Sequence, residues 1–76
     1  MILTLYVTDN CKACERVKNQ LKSLLQDRKD VTLFIENIIK KNIKNILIVP
    51  ALYIDEELYV LGDINEEKFL NRLKNI

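Results

Sequence analysis

The 76-residue chain contains one glycine, one proline, no histidine and no tryptophan. So little glycine and proline argues against a flexible linker or a long loop. The chain also contains no internal repeat. Hydrophobic residues make up 49% and charged residues 30% of the chain, a balance that argues against disorder. These features predict one compact domain over residues 1–76, near the lower size limit for a fold without staples.

The chain also lacks the signals that would direct it to a membrane. No stretch approaches the roughly 20 apolar residues that a membrane-spanning helix needs. The apolar run at Met1–Val7 is too short for a signal peptide and has no basic residues before it. We therefore predict a cytoplasmic protein with no membrane partner.

The net charge of +1 gives no reason to expect nucleic acid as a partner, but the charges are unevenly distributed. Residues 11–44 carry nine Lys/Arg against four Asp/Glu, whereas residues 45–76 carry three against six. This asymmetry predicts a basic surface on the first two helices. That surface is either an ordinary solvated helix face or a docking patch for an acidic protein.

The only two cysteines, Cys11 and Cys14, enclose Lys12 and Ala13. Three residues apart, they close too small a loop to staple a fold. Structural zinc takes four ligands, and the chain has no histidine and no further cysteine to complete such a site. Apart from serving as small buried hydrophobes, the pair is best explained by thiol–disulfide chemistry.

Apolar runs separated by helical periodicity predict seven elements in the order β-α-β-α-β-β-α. A parallel crossover followed by a hairpin gives an α/β fold: one four-stranded mixed sheet flanked by three helices, on both faces. The predicted strands are Ile2–Val7, Val31–Ile35, Ala51–Ile54 and Leu58–Leu61, with Asp55-Glu56-Glu57 as the hairpin turn.

Each predicted helix has a polar residue that can cap it and an apolar stripe that can be buried. Asp9 or Asn10 caps the first, Asn37 a short second helix, and Asn65 the last. The buried stripes are Cys14, Val17, Leu21, Leu24, Leu25 and Arg28 in the first helix, Ile39, Ile43 and Ile46 in the second, and Phe69, Leu70, Leu73 and Ile76 in the last, where Ile64 and Phe69 form a hydrophobic staple.

The two cysteines occupy unequal positions in the first helix. Cys11 lies off the apolar stripe at the helix tip, where free N–H groups and the helix dipole stabilise a thiolate. Cys14 lies on the stripe, one turn deeper. We therefore predict Cys11 as the attacking thiolate and Cys14 as the thiol that resolves the mixed disulfide, since residues i and i+3 are neighbours on a helix.

Three short motifs together resemble the thioredoxin-fold redoxins, and the small glutaredoxin-like branch most of all. They are Cys11-Lys12-Ala13-Cys14 after the first strand, Val49-Pro50 before the third strand, and Gly62-Asp63 before the last helix. The resemblance covers the whole chain. It implies a single thioredoxin-like domain in which the Val49–Pro50 peptide bond is cis and lies beside the cysteine pair.

The resemblance also implies the substrate-binding residues. The backbone of Val49 would pair with an extended substrate segment next to Pro50, and Lys12 and Ala13 would lie at the same site. Gly62 and Asp63 are either a turn and helix cap or the receptor for the α-carboxylate or α-amino group of glutathione.

Several residues depart from the patterns of both subfamilies. Lys12-Ala13 replaces the Pro-Tyr typical of glutaredoxins and the Gly-Pro typical of thioredoxins, and Ile48 stands where glutaredoxins have threonine. Asn10 replaces the tryptophan of thioredoxins, and the strand Ile2–Val7 has no buried carboxylate to take the proton from Cys14. Water and Lys12 are then the remaining proton acceptors, and the choice of subfamily stays open.

The predicted function is a thiol–disulfide oxidoreductase that reduces protein disulfides and carries electrons for redox homeostasis. Its partners would be disulfide-containing proteins, with a reductase or glutathione as electron donor. The chain would be a monomer with no bound cofactor, and glutathione would act as a co-substrate. The alternative is a redox-inactive interaction module that keeps the fold and binds partners through the Val49-Pro50 groove and the basic helix face.

Overall fold

The computed structural model describes residues 1–74, which form four strands and two helices. In chain order these are β1 (Ile2–Val7), α1 (Lys12–Leu25), β2 (Thr32–Asn37), β3 (Ala51–Ile54), β4 (Glu57–Leu61) and α2 (Glu66–Lys74). The predicted α/β architecture with a four-stranded mixed sheet is confirmed. The predicted burial of Ile76 lies outside the described residues.

The sheet has the strand order β2-β1-β3-β4, with β1 at the centre. β1 and β2 are parallel and are joined by α1, whereas β3 runs antiparallel to both β1 and β4. β3 and β4 are joined through Asp55 and Glu56, which both have positive φ angles, the backbone pattern of a tight two-residue hairpin turn. Both parallel strands end at the same end of the sheet, at Val7 and Asn37, and from Val7 the chain continues to Cys11.

The main core lies between one face of the sheet and both helices. Alternating residues of β1 and β3 point toward this side and pack against the apolar stripes of α1 and α2. The cluster consists of Leu3, Leu5, Val17, Leu21, Leu52, Ile54, Ile64, Phe69 and Leu73. We call this the helix-covered face and the opposite side of the sheet the open face. The prediction of helices on both faces is wrong for the described residues, because both helices pack on the same side.

The predicted second helix is wrong too, because residues 38–50 form turns and bends. Asn37 does act as a cap: its Oδ1 accepts hydrogen bonds from the N–H groups of Ile39 and Lys40, at 2.9 and 3.0 Å. The helix then ends after a single turn at Asn42, whose φ is +54°. Two backbone hydrogen bonds terminate the turn. The N–H of Asn42 donates to the carbonyl of Ile39, and the N–H of Ile43 donates to the carbonyl of Ile38.

This closing pattern around a left-handed residue is a common helix C-terminus, and Asn is one of the few residues besides Gly that tolerate it. A single turn cannot recover the cost of helix nucleation through further hydrogen bonds. The isoleucine and lysine spacing of residues 39–46 imitates a helix, but the backbone bonds at Asn42 stop it.

The last helix begins as predicted. Asn65 caps α2 by accepting a hydrogen bond from the N–H of Lys68 at 2.9 Å, and Ile64 and Phe69 are both buried in the main cluster. Within residues 1–74, neither helix is long and apolar enough to cross a membrane.

Candidate functional site

The sulfur of Cys11 lies at the N-terminus of α1. Cys11 itself is the N-cap residue, with extended backbone angles, and its sulfur accepts a hydrogen bond from the N–H of Cys14 at 3.1 Å. Its carbonyl accepts from the N–H of Glu15 at 3.2 Å. The prediction that Asp9 or Asn10 caps this helix is therefore wrong. Asn10 instead has a φ of +57° and turns the chain from the strand into the helix.

Cys11 and Cys14 form a disulfide, with their Cα atoms 5.2 Å apart, within the usual range for such bonds. Cys14 is buried, with 3% of its surface exposed, beside the stripe of α1 that packs on the sheet. Cys11 is half-buried, so it is less exposed than predicted but more accessible than its partner. Between them, Lys12 is exposed and Ala13 is half-buried.

Val49 and Pro50 lie at the same end of the sheet as the cysteines. Ala51, which follows Pro50, pairs with Tyr6 of β1, and the chain leaves β1 one residue later toward Cys11. The Val49–Pro50 peptide bond is cis, as the resemblance implied. The carbonyl of Pro50 accepts a hydrogen bond from the N–H of Gly62 at 2.8 Å, so the structure brings the second and third predicted motifs together.

Gly62 adopts a φ of +81°, and apart from Gly62 and its two chain neighbours no atom lies within 4 Å of the position where a Cβ would stand. Its role is therefore conformational, because the left-handed backbone, and not a close contact, favours glycine here. The turn directs the chain from β4 toward α2 and supports the structural explanation of this motif.

Asp63 is engaged by a residue that the sequence did not single out. The guanidinium of Arg16 on α1 donates a hydrogen bond to Asp63 Oδ1 at 3.1 Å, and both side chains are mostly exposed. A glutathione amino group at Asp63 would therefore compete with Arg16. The two residues are 47 positions apart, and no local pattern connects them.

A cleft of about 580 Å³ opens beside Cys11, on the side of β1 and β2. Lys12 and Cys11 were predicted for this site, but most of the other lining residues were not. Two polar contacts shape the cleft: Asn37 donates to Asp9 at 3.0 Å, and Lys18 to Glu15 at 3.0 Å. The full lining is Val7, Thr8, Asp9, Asn10, Cys11, Lys12, Glu15, Lys18 and Asn37.

The surroundings of Cys14 contain no charged residue that is removed from solvent. Among residues 1–74, no polar or charged side chain is buried, so a carboxylate beneath the second cysteine is absent there, as the composition of Ile2–Val7 indicated. Within the same residues, no three His, Cys, Asp or Glu side chains are grouped to hold a metal ion.

Comparison with solved structures identifies the fold. Thioredoxin 1 from Thermosipho africanus TCF52B is 14% identical with a TM-score of 0.73, over 99% of this chain and 92% of that chain. Trichomonas vaginalis thioredoxin is 19% identical with a TM-score of 0.71, over 97% and 77% of the two chains. Chlamydomonas reinhardtii thioredoxin f2 is 19% identical with a TM-score of 0.68, over 97% and 76%.

A comparison with curated proteins finds no match. The family profile described as the thioredoxin domain matches residues 1–75, which is nearly the whole chain. Together with the disulfide-bonded Cys-x-x-Cys pair at the start of α1, this match points to thiol–disulfide chemistry. The chain belongs to the thioredoxin domain family.

Proposed function

We propose that this protein is a dithiol reductant of disulfides in other proteins, with Cys11 as nucleophile and Cys14 as resolving cysteine. The observation that carries the proposal is the hydrogen bond from the N–H of Cys14 to the sulfur of Cys11 at the N-terminus of α1. In the reduced protein, that donor and the helix dipole stabilise a thiolate at Cys11. Cys14 is buried next to Cys11, so it can attack a mixed disulfide at Cys11 but is shielded from the substrate itself.

In the first step, the Cys11 thiolate attacks one sulfur of a substrate disulfide. A bond forms between Cys11 and that sulfur, the substrate S–S bond breaks, and the other substrate sulfur leaves as a thiolate that takes a proton from solvent. A substrate segment that lies extended along Val49, next to Pro50, would be held mainly through its backbone, which makes recognition largely independent of substrate sequence.

In the second step, Cys14 loses its proton and attacks the Cys11 sulfur. The Cys11–Cys14 disulfide forms, the mixed disulfide breaks, and the second substrate thiolate leaves, so two electrons pass to the substrate. Because no carboxylate is buried among residues 1–74, we propose that the proton of Cys14 passes to water at the mouth of the site.

Matched cysteine variants test these roles. We expect the reduced protein to reduce insulin or a model disulfide in stoichiometric amounts. Cys14→Ser should accumulate a mixed disulfide with substrate, visible as an added mass that dithiothreitol removes, whereas Cys11→Ser should form none. Full activity of Cys11→Ser would overturn the assignment of the nucleophile. Partner binding that survives the loss of both cysteines would favour the redox-inactive interaction module.

The electron donor decides between the two subfamilies. The oxidised protein should be reduced either by glutathione alone, as in glutaredoxins, or only through a flavin-dependent reductase, as in thioredoxins, in the reducing cytoplasm predicted above. Measuring the free thiols of the oxidised protein after incubation with each donor separates the two outcomes. Asp63→Asn should slow only a glutathione-dependent reaction, since Asp63 is the proposed receptor of the glutathione amino group.

A further inference from the structure

The exposed hydrophobic side chains of this protein are concentrated on one side. Among the described residues, every large hydrophobic side chain that is exposed lies on the open face or in residues 38–50, which cross it. Those on the sheet are Ile2, Phe34, Leu58 and Leu61, and those in the crossing segment are Ile39, Leu47 and Ile48. The register of the strands places the four sheet residues on the side opposite the main core.

These seven side chains are between 45% and 87% exposed. Together they present an apolar surface on the order of several hundred Å², whereas exposed hydrophobic residues on a monomer are normally scattered. A standard protein interface buries roughly 800 Å² on each partner. The open face is therefore of the size that one copy of a small dimer needs to cover.

The crossing segment and the strands β3 and β4 form a shallow groove within this surface. Its lining is mostly apolar and consists of Asn45, Ile46, Leu47, Ile48, Ala51, Tyr53, Leu58 and Leu61. β4 is also an edge strand of the sheet. A partner that fills the groove would shield Leu47, which is 87% exposed.

Charges of opposite sign border the two ends of the open face. At the cysteine end, Ile38 donates to the carbonyl of Val7 and Ile43 to that of Ile38, which places Lys40, Lys41 and Lys44 of the crossing segment near this end. All three are exposed, but Lys40 lies 3.7 Å from Asp9 and Lys41 pairs with Glu36, so Lys44 is the charge that a partner's carboxylate would meet. At the far end, the hairpin carries the exposed acidic residues 55–57. The strands between these two ends are about 15–20 Å long.

We propose that the open face binds a second copy of this chain in a two-fold symmetric dimer with antiparallel strands. That symmetry makes the interface self-complementary, since each apolar face covers the other. It also brings the acidic hairpin of each copy to the basic crossing segment of its partner, whereas a parallel arrangement would oppose like charges. The helix-covered face and Cys11 stay outside the interface.

Sedimentation equilibrium of the full chain tests the proposal, over a concentration series up to about 1 mM, which is high enough to populate even a weak dimer. The expected result is a transition from the monomer mass of 9.0 kDa to twice that mass, with no larger species. A monomer at all concentrations, or open-ended assembly, would overturn the proposal. A monomer that captures an unfolded polypeptide through Leu58 would assign the face to another partner and overturn it equally.

Substitutions on the two sides of the molecule provide the matched control. Leu58→Lys, at an exposed position, should weaken the dimer at least tenfold while circular dichroism shows the fold intact, and Phe34→Lys should do the same. Ser23→Lys adds the same charge to an exposed position of α1 and should leave the dimer unchanged. Equal effects of Leu58→Lys and Ser23→Lys would contradict the assignment of the interface.

A charge swap tests the antiparallel arrangement. Lys44→Glu alone and Glu56→Lys alone should each weaken the dimer by about two- to tenfold, as expected for the loss of two exposed ion pairs in a symmetric interface. The double variant should restore most of the affinity, because each new pair has the opposite polarity. Additive weakening in the double variant would exclude the antiparallel form.

Discussion

The two faces of the sheet are built from the same strands but differ in how far their side chains are buried. Leu3 and Leu5 of β1 are fully buried beneath the helices, whereas Ile2, on the same strand, is 50% exposed on the open face. The almost continuous apolar run of β1 predicted a strand covered on both sides. An apolar run therefore indicates which side chains a strand can bury, while the neighbouring elements decide which of them are buried.

The segments that follow the two parallel strands explain this difference. After β1, the N-cap Cys11 begins a helix of 14 residues that packs onto the core. After β2, Asn37 also caps a helical turn, but the left-handed residue Asn42 ends it. Both segments therefore begin with a capped helical turn. Only the one after β1 continues as a helix long enough to cover a face of the sheet.

The largest expected contrast between the faces comes from truncating one aromatic residue on each. Phe69→Ala should lower the free energy of unfolding by about 3–5 kcal/mol, because Phe69 is fully buried in the main cluster. Phe34→Ala should cost less than about 1 kcal/mol, because Phe34 is 48% exposed. Urea denaturation of the oxidised protein at low concentration measures both, and equal losses would contradict the contrast.

Removing one helix cap on each side should give a smaller contrast. Asn65→Ala should cost about 1 kcal/mol, since α2 loses the acceptor for the N–H of Lys68 and carries part of the core. Asn37→Ala should cost less, because the freed N–H groups of its exposed turn are hydrated. Asn65→Asp, which keeps a capping oxygen, is the control in the same urea series and should retain the stability.

The end of the short turn on the open face offers a test of its backbone. Asn42→Ala should lower the free energy of unfolding by roughly 0.5–1 kcal/mol, because alanine tolerates a φ of +54° less well than asparagine. Asn42→Gly should not destabilise the protein, since glycine adopts this conformation readily. Thermal unfolding of the two variants distinguishes the two causes. A backbone effect destabilises only Asn42→Ala, whereas a lost side-chain contact would destabilise Asn42→Gly as well.

The smallest effects on the free energy of unfolding are expected from the exposed ion pairs, for which the two sides of the molecule should not differ. Arg16→Ala removes the exposed ion pair with Asp63 on the side of the helices, and Lys40→Ala removes the exposed pair with Asp9 on the other side. Each should cost less than about 1 kcal/mol and less still at high salt, because exposed pairs are screened. Unfolding at two salt concentrations checks this, and a large loss for either variant would contradict it.

The sequence predicted the fold better than it predicted the helix positions. Four strands, the mixed sheet and the first and last helices followed from apolar runs and spacing, although the first helix is capped by Cys11 and not by Asp9 or Asn10. The second helix did not, because the periodicity of Ile39, Ile43 and Ile46 does not reveal that Asn42 adopts a left-handed conformation. The sequence also could not predict that both helices pack on one face of the sheet. Periodicity shows that a helix has an apolar stripe, but not which surface that stripe packs against.

The candidate site was predicted unevenly for a related reason. Cys11 and Cys14 are neighbours along the chain, so their proximity and unequal burial followed from helix geometry. The resemblance to the redoxins supplied the cis bond at Val49–Pro50 and the motif at Gly62. The contact between Arg16 and Asp63 links residues 47 positions apart, and no pattern within either segment indicates it.

The amino-acid pattern alone was enough to predict the succession of the four strands along the chain, the start of a helix at the cysteine pair and the burial of Cys14. These depend on near neighbours, through strand alternation, helical spacing and local hydrogen bonds. Only the packed structure decided that both helices lie on the same face, that Pro50 bonds to Gly62 and that the open face is crossed by turns and bends and not by a helix. Those outcomes depend on contacts between distant segments, whose relative positions are set only when the whole chain packs together.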